Sequence, residues 1–339
     1  MYIRILNHID RKQTTNTCQE LMPASSVNQW IDDFLAADPP RAKSLVMTIF
    51  GDAIAPHGAR LWLGSLIELV APLGVTDRLV RTSVFRLAQE GWLTASREGR
   101  RSSYALDEHA RARFERANRR IYARPGQDWD GSWTLLLAPN GSIDAALRAA
   151  VRKELEWEGF SMLAPGVLAH PAFDAAALAE ILARVQAGGK VFVCRAADMP
   201  GVDGRPLAEL VREGWDLTGV AAGYRHFVET FAPLPDLLRA AAQPGTGSGI
   251  APREAFVLRS LLVHAYRRVQ LHDPMLPLPL LPDPWPGMEA YALAQAVYRL
   301  LWEAAQTHVM QVMQREDAAA PAADAAFHAR FEGLPPGGA

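Results

Sequence analysis

The sequence predicts a multidomain α+β protein: a helical unit closing on a basic hairpin, a central unit of alternating strands and helices, and an all-helical unit. Three observations predict this. The 339 residues exceed the roughly 250 at which a single core stops growing. Helix-period stripes fill residues 27–90 and the stretch after Pro206, whereas short extended runs alternate with helices between 129 and 198. Breaks at Pro125-Gly126 and around residues 200–206 part the three units. The expected boundaries are 25–124, 127–200 and 205–316, with residues 1–24 and the Ala/Pro/Gly-rich tail 317–339 lacking order.

The amphipathic stretch "SSVNQWIDDFLAADPP" predicts a first helix, with Trp30 and Phe34 four apart and a stop at Pro39-Pro40. "RAKSLVMTIFGDAI" predicts a second, ended by Pro56 and Gly58, and "ARLWLGSLIELVAPLG" a third, ended by Pro72 and Gly74. Another spans about 76–90, with Thr76 as N-cap and Asp77 complementing the helix dipole. At 100° per residue Val80, Val84 and Leu87 gather on a packing side. Arg78, Arg81, Thr82 and Phe85 project from the other. Gly91 ends this helix, and "WLTASREGRRSSYAL" reads as a hairpin turning at Glu98-Gly99. Helices followed by a basic hairpin have the order of a winged helix-turn-helix. The arginine-rich "DEHARARFERANRRIYAR" is a further helix. "WDGSWTLLLAP", "SMLAPGVLAHP" and "KVFVCRAAD" are strand-like around two helical runs, which predicts a ferredoxin-like split βαβ unit. "REAFVLRSLLVHAYRRVQL" and "EAYALAQAVYRLLWEAAQTHVMQVMQRE" are long helices of the final unit.

Composition excludes several classes. No apolar run approaches the ~20 residues of a membrane span, and the N-terminus lacks the pattern of a secretory signal, so the cytoplasm is the expected location. Two cysteines, Cys18 and Cys194, form neither a disulfide framework nor a metal cage. The nine histidines are scattered, and His264 and His272, eight apart on one predicted helix, have no carboxylate or cysteine at zinc-like spacing, so no metal and no cofactor is expected. "QAGGKVF" and "PGTGSG" read as a turn and a linker, with no nucleophile and base in view, so the chain is not expected to be an enzyme. The net charge of −2 conceals an asymmetry. Residues 41–124 hold fifteen Lys+Arg against eight Asp+Glu, a footprint suited to a polyanion but also found on solvated surfaces.

Two groups of residues carry the functional expectations. Arg78, Arg81 and Thr82 suit base edges in a major groove, because Arg bonds guanine O6 and N7 together and Thr meets a base edge or methyl. Arg97, Arg100, Arg101 and Ser102 on the hairpin suit phosphates. The alternative is that these arginines are solvated or paired with Glu90 and Glu98, and Phe85 has no assigned role on either view. In the buried-looking helix "LVHAYRRVQL", His264, Arg267 and Arg268 need partners. Asp273 or another acid would serve, and so would an anionic effector.

Several of these stretches, "WLGSLIELVAPLGVTDRLVRTSVFRLAQEGWL", "REGRRSSYAL", "WDGSWTLLLAP", "EWEGFSMLAPGVLAHP" and "VHAYRRVQLHDPMLPLPLLPDPW", occur in one order over residues 27–302. In them the chain resembles the PaaX-type transcriptional repressors of phenylacetic acid catabolism. The resemblance implies a winged helix, a central Cas2-like ferredoxin fold and a helical C-terminal domain. It also implies a homodimer that binds operator DNA, represses an aerobic phenylacetate operon and is released by phenylacetyl-CoA. A relative answering to another aryl-CoA or aromatic acid, as in styrene catabolism, is the nearest alternative, and a CoA-thioester-binding enzyme or a basic protein-interaction scaffold the more distant ones. Cas2-like nucleases carry an acid at the end of the first strand. Here that position reads "LLLAPN", which implies no nuclease.

Overall fold

A computed structural model describes residues 26–126, 129–198, 204–242 and 249–336, so the expectation for residues 1–24 lies outside the described residues. The first unit contains helices α1 (Val27–Ala37), α2 (Ala42–Ile49), α3 (Leu63–Val70) and α4 (Asp77–Gln89). Strands β1 (Arg60–Trp62), β2 (Leu93–Glu98) and β3 (Arg101–Leu106) form an antiparallel sheet in the order β1-β3-β2. Residues 60–62, expected to open a helix, instead pair with Ser103–Ala105. The cause is the reversal just before them: Gly58 and Ala59 both take positive φ, which turns the chain into the sheet before α3 can begin.

Helix α5 (Glu108–Tyr122) leads into the central unit. There β4 (Trp133–Leu137), α6 (Ala145–Trp157), β5 (Ser161–Ala164), β6 (Val167–Pro171), α7 (Ala175–Arg184) and β7 (Phe192–Ala196) follow in sequence. The sheet order is β5-β6-β4-β7, antiparallel throughout, which is the ferredoxin-like arrangement that the alternation predicted. This unit has a core of its own, built on Leu136, Val151, Leu155 and Ile181.

The last unit is helical: α8 (Leu207–Gly214), α9 (Leu217–Phe231), α10 (Leu234–Ala241), α11 (Pro252–Gln270), α12 (Pro286–Glu316) and the short α13 (Ala325–His328). Its core is continuous with that of the first unit, from Leu45 and Val80 through Phe256 and Val309. The two are therefore one packed body, with the central unit attached to it.

The tail departs from expectation. Residues 317–336 are placed, and Phe327 and Phe331 are each 1% exposed. Low hydropathy on average concealed two aromatic anchors and a cation. Arg330 donates to the Asp52 carboxylate (3.0 Å) and to the backbone oxygens of Asp52 (2.8 Å) and Gly51 (3.1 Å). Asp52 sits in a π-helical turn, Phe50–Ile54, that extends α2. It also accepts from Tyr122 (2.7 Å) and Tyr298 (2.9 Å) and pairs with Arg259 Nε at 3.0 Å. Arg259, assigned no partner from the sequence, thus meets an acid from the first unit.

Burial alone would push the Asp52 carboxyl up, but Arg259, Arg330 and the two tyrosine hydroxyls reverse this and hold it below its ordinary value. Arg330→Ala should therefore lower stability by about 3 kcal/mol, the cost of breaking one arm of a buried ion network. Urea unfolding should show it, and an unchanged midpoint would mean that the tail is not anchored there.

Candidate nucleic-acid interface

Helix α4 packs through Val80, Ser83, Val84 and Leu87, because these positions alone return to the same side. Thr76 occupies the N-cap position without a side-chain capping bond. Gly91, with φ of 72°, turns the chain so that the Trp92 N–H bonds back to the Leu87 carbonyl at 2.9 Å. The opposite side is open: Arg78, Arg81, Thr82, Phe85, Arg86 and Gln89 are all exposed.

The expected contacts differ in readiness. Arg78 forms no ion pair among the described residues, whereas Arg81 pairs with Asp77 one turn earlier (2.6 Å). Thr82 donates its hydroxyl to the Arg78 carbonyl (2.9 Å), so it offers its methyl and oxygen lone pairs outward.

In the hairpin, β2 and β3 pair from Leu93↔Leu106 to Glu98↔Arg101, and Gly99 takes φ of 61° at the turn. Arg97 donates to the Gly99 carbonyl (3.1 Å), and Arg100 at the tip is exposed and unpaired among the described residues. Ser102 is half-buried opposite Arg97. Arg101 pairs with Glu316 at the end of α12 and lies 5.3 Å from the Trp62 ring centroid. The sequence linked Glu98 and Glu90 to these arginines. In fact Glu98 pairs with Arg60 (2.7 Å) and Glu90 with Lys43 (2.5 Å). Among the described residues none of the candidate arginines pairs with either acid.

The second group separates. His264 is buried, with Nδ1 3.0 Å from Thr48 Oγ1. Burial, helped by Arg267 and Arg268, lowers its pKa to about 4, so it is neutral and cannot serve as a cation near pH 7. Arg268 is exposed and pairs with Asp38 (2.7 Å), not with Asp273. Asp273 instead accepts from Tyr224 (2.5 Å) and the Met275 N–H (2.7 Å). Arg267 makes no ion pair or hydrogen bond among the described residues and lines a cavity of about 110 Å³ with Thr48, Asn118 and Trp157. That cavity lies where α2, α5 and α11 meet.

Two larger clefts flank the same region. One of about 1170 Å³, between α5 and the central sheet, carries Arg116, Arg119, Arg120 and Arg195 together with Asp130, Glu158 and Asp174. The other, about 990 Å³, is lined by Trp30, Phe34 and Trp215 but also by Asp33, Asp38, Asp216 and Glu156, which makes it unsuited to a polyanion. Sequence reasoning missed Asp52, Arg330 and Glu316. Only Asp52 left a signal, as a lone acid in an apolar helical stripe. Among the described residues no three His, Cys, Asp or Glu side chains are grouped to hold a metal, and no helix is long and apolar enough to cross a membrane.

Comparison with known proteins gives three matches to family models. Residues 41–110 match the PaaX-like protein family, residues 126–209 the PaaX central Cas2-like domain and residues 215–311 the PaaX-like C-terminal domain. The transcriptional repressor PaaX of Escherichia coli strain K12 is 37% identical over 311 residues, which is 91% of this chain and 96% of that protein. A solved structure, the uncharacterized protein Rv0674 of Mycobacterium tuberculosis, is 24% identical with a TM-score of 0.45, covering 79% of this chain and 96% of that one.

His170 shares the state of His264, since burial lowers its pKa to about 4 as well. Both groups take a proton more readily unfolded, near pH 6.5, than folded. Their contribution is therefore complete above about pH 6.5 and falls as pH drops towards 4, by up to ~1.4 kcal/mol per pH unit for each. Urea unfolding from pH 7 to 4.5 should show this slope, and His264→Gln should flatten it by the share of one histidine.

Proposed function

The chain belongs to the PaaX family, and from that premise we propose that it is a transcriptional repressor, not an enzyme, that binds double-stranded operator DNA as a homodimer. In this reading the first unit, residues 25–124, is a winged helix-turn-helix. Helix α4 enters the major groove, where Arg78, Arg81 and Thr82 read base edges, while Arg97, Arg100, Arg101 and Ser102 hold phosphates. The observation that carries the reading is the projecting face of α4. Among the described residues this face has no covering element, is rich in arginine, and stands beside a hairpin tipped by an Arg100 without an ion pair.

The homodimer reading draws support from the central sheet, residues 127–200. Its β5 edge is shielded by α8, with Ser161 donating to the Gly214 carbonyl (2.6 Å). The β7 edge leaves Phe192 and Val193 exposed, the form of an edge that pairs with another chain.

The repressed genes are those of aerobic phenylacetate breakdown, and phenylacetyl-CoA releases the protein from its operator. Of His264, Arg267 and Arg268, Arg267 fits an effector contact best: a half-buried guanidinium without a partner among the described residues gains from any polar or anionic group that meets it. A cavity of about 110 Å³ suits the acyl end of the thioester but is too small for its nucleotide. Residues 205–316 then form the domain that carries this contact.

Gel-shift titration tests the DNA reading. Arg78→Ala should relax base preference by ~1 to 3 kcal/mol at one position, whereas Arg100→Ala should weaken all sequences alike and reduce the salt slope by about one. Equal binding of all sequences by the native chain would overturn it. Calorimetry with phenylacetyl-CoA tests the effector contact. Arg267→Met should weaken thioester binding at least ~10-fold while leaving operator affinity intact, and unchanged thioester binding would remove Arg267 from the site.

A further inference from the structure

Phe85 is 59% exposed, on a surface that also carries Arg78, Arg81 and Arg86. The hairpin does not cover it, and none of the aromatic pairs among the described residues includes it. A ring left in water on a helix whose other side supplies four buried packing residues is not needed for folding. Its position is specific. Counting at 100° per residue, Arg78, Thr82, Phe85 and Gln89 fall at spacings of four, three and four, a single row along the centre of the projecting face.

The row has a chemical sense. Arg78 supplies two donors in a fork. The Thr82 hydroxyl donates inside the helix, which leaves its methyl among the groups it offers, and the Phe85 ring is wholly apolar. In a major groove, base edges are polar with one exception: the C5-methyl of thymine. We propose that Phe85 is a specificity-determining residue that packs on a thymine methyl, within two helical turns of the base met by Arg78. This rests on the proposed DNA-binding reading of α4. Charge favours DNA as the occupant over a second copy of the chain, since Arg78, Arg81 and Arg86 surround the ring and two such faces would repel each other.

The test starts from a preferred duplex selected with the native chain from random DNA. Each thymine is then replaced singly by deoxyuridine, which removes only the methyl. One position in each half-site should weaken native binding about four-fold, the equivalent of leaving one methyl unburied. Phe85→Ala should bind the thymine and deoxyuridine duplexes equally there and still prefer the base read by Arg78. Equal binding of every deoxyuridine duplex by the native chain would overturn the proposal, as would a methyl dependence that survives in Phe85→Ala. A change of oligomeric state in Phe85→Ala, measured by sedimentation with the methyl dependence intact, would assign the ring to a subunit interface instead. If no preferred duplex emerges from the selection, the DNA-binding reading itself fails.

Discussion

The Asp52 carboxylate joins the chain's distant parts. Its partners come from four places: Tyr122 on α5, Arg259 on α11, Tyr298 on α12 and Arg330 in the tail. Two guanidiniums share one carboxylate, and the excess positive charge faces aromatic rings. Arg330 lies 4.3 Å from the Tyr122 centroid and 4.8 Å from that of Phe327. Such a node adds little net stability over an apolar core, because removing the ions from water offsets most of their attraction. It does specify register. With any of the four elements shifted by a turn, a buried charge would be left without its partner.

Helix α5 transmits this constraint. On the side facing the first unit it approaches the π-turn so closely that a Cβ on Gly51 would lie 3.0 Å from the Phe114 ring, and Asn118 donates to the Gly51 carbonyl (3.3 Å). On the other side the buried Arg116 pairs with Glu158 (3.3 Å) and Glu180 (3.1 Å), while Arg120 donates to the Asp273 carbonyl (2.6 Å). The first and last units share a hydrophobic core that also takes in Trp133 and Ala169 of the central sheet, whereas the rest of the central unit packs on a core of its own and meets α5 through the Arg116 ion pairs. Apolar packing between separate cores resists sliding. Polar contacts exchange with water or ligand at lower cost. The Arg116 ion pairs are therefore the more readily exchanged part of that joint, and the cavity lined by Arg267 meets α5 along the side that carries Phe114, Asn118 and Tyr122.

Much of this was legible in the sequence, and what was lost has physical reasons. Local signals gave the projecting face of α4, the glycine hairpin and the alternation of the central unit, because each depends on periodicity or turn chemistry within a few residues. The strand at Arg60–Trp62 was not legible, since its extended form comes from pairing with β3 more than forty residues later. Nothing in the sequence selects Asp52, among the chain's acids, as the partner of the buried Arg259. The tail misled most. Its composition averages to that of a disordered segment, whereas its order depends on Phe327, Arg330 and Phe331 finding a socket built by residues far away.

The arginines of the candidate interface differ in what contact with a phosphate or base would require of them. Arg78 and Arg100 need only shed water. Arg81 would exchange Asp77 for a new partner, and because that pair is exposed on both sides it is worth at most ~1 kcal/mol. Arg101 differs from these three. It is held by Glu316 at the far end of α12 and by the Trp62 ring, so moving it onto a phosphate would leave Glu316 without that partner. The helical unit therefore meets the hairpin through one ion pair, beside the Trp62 ring of β1.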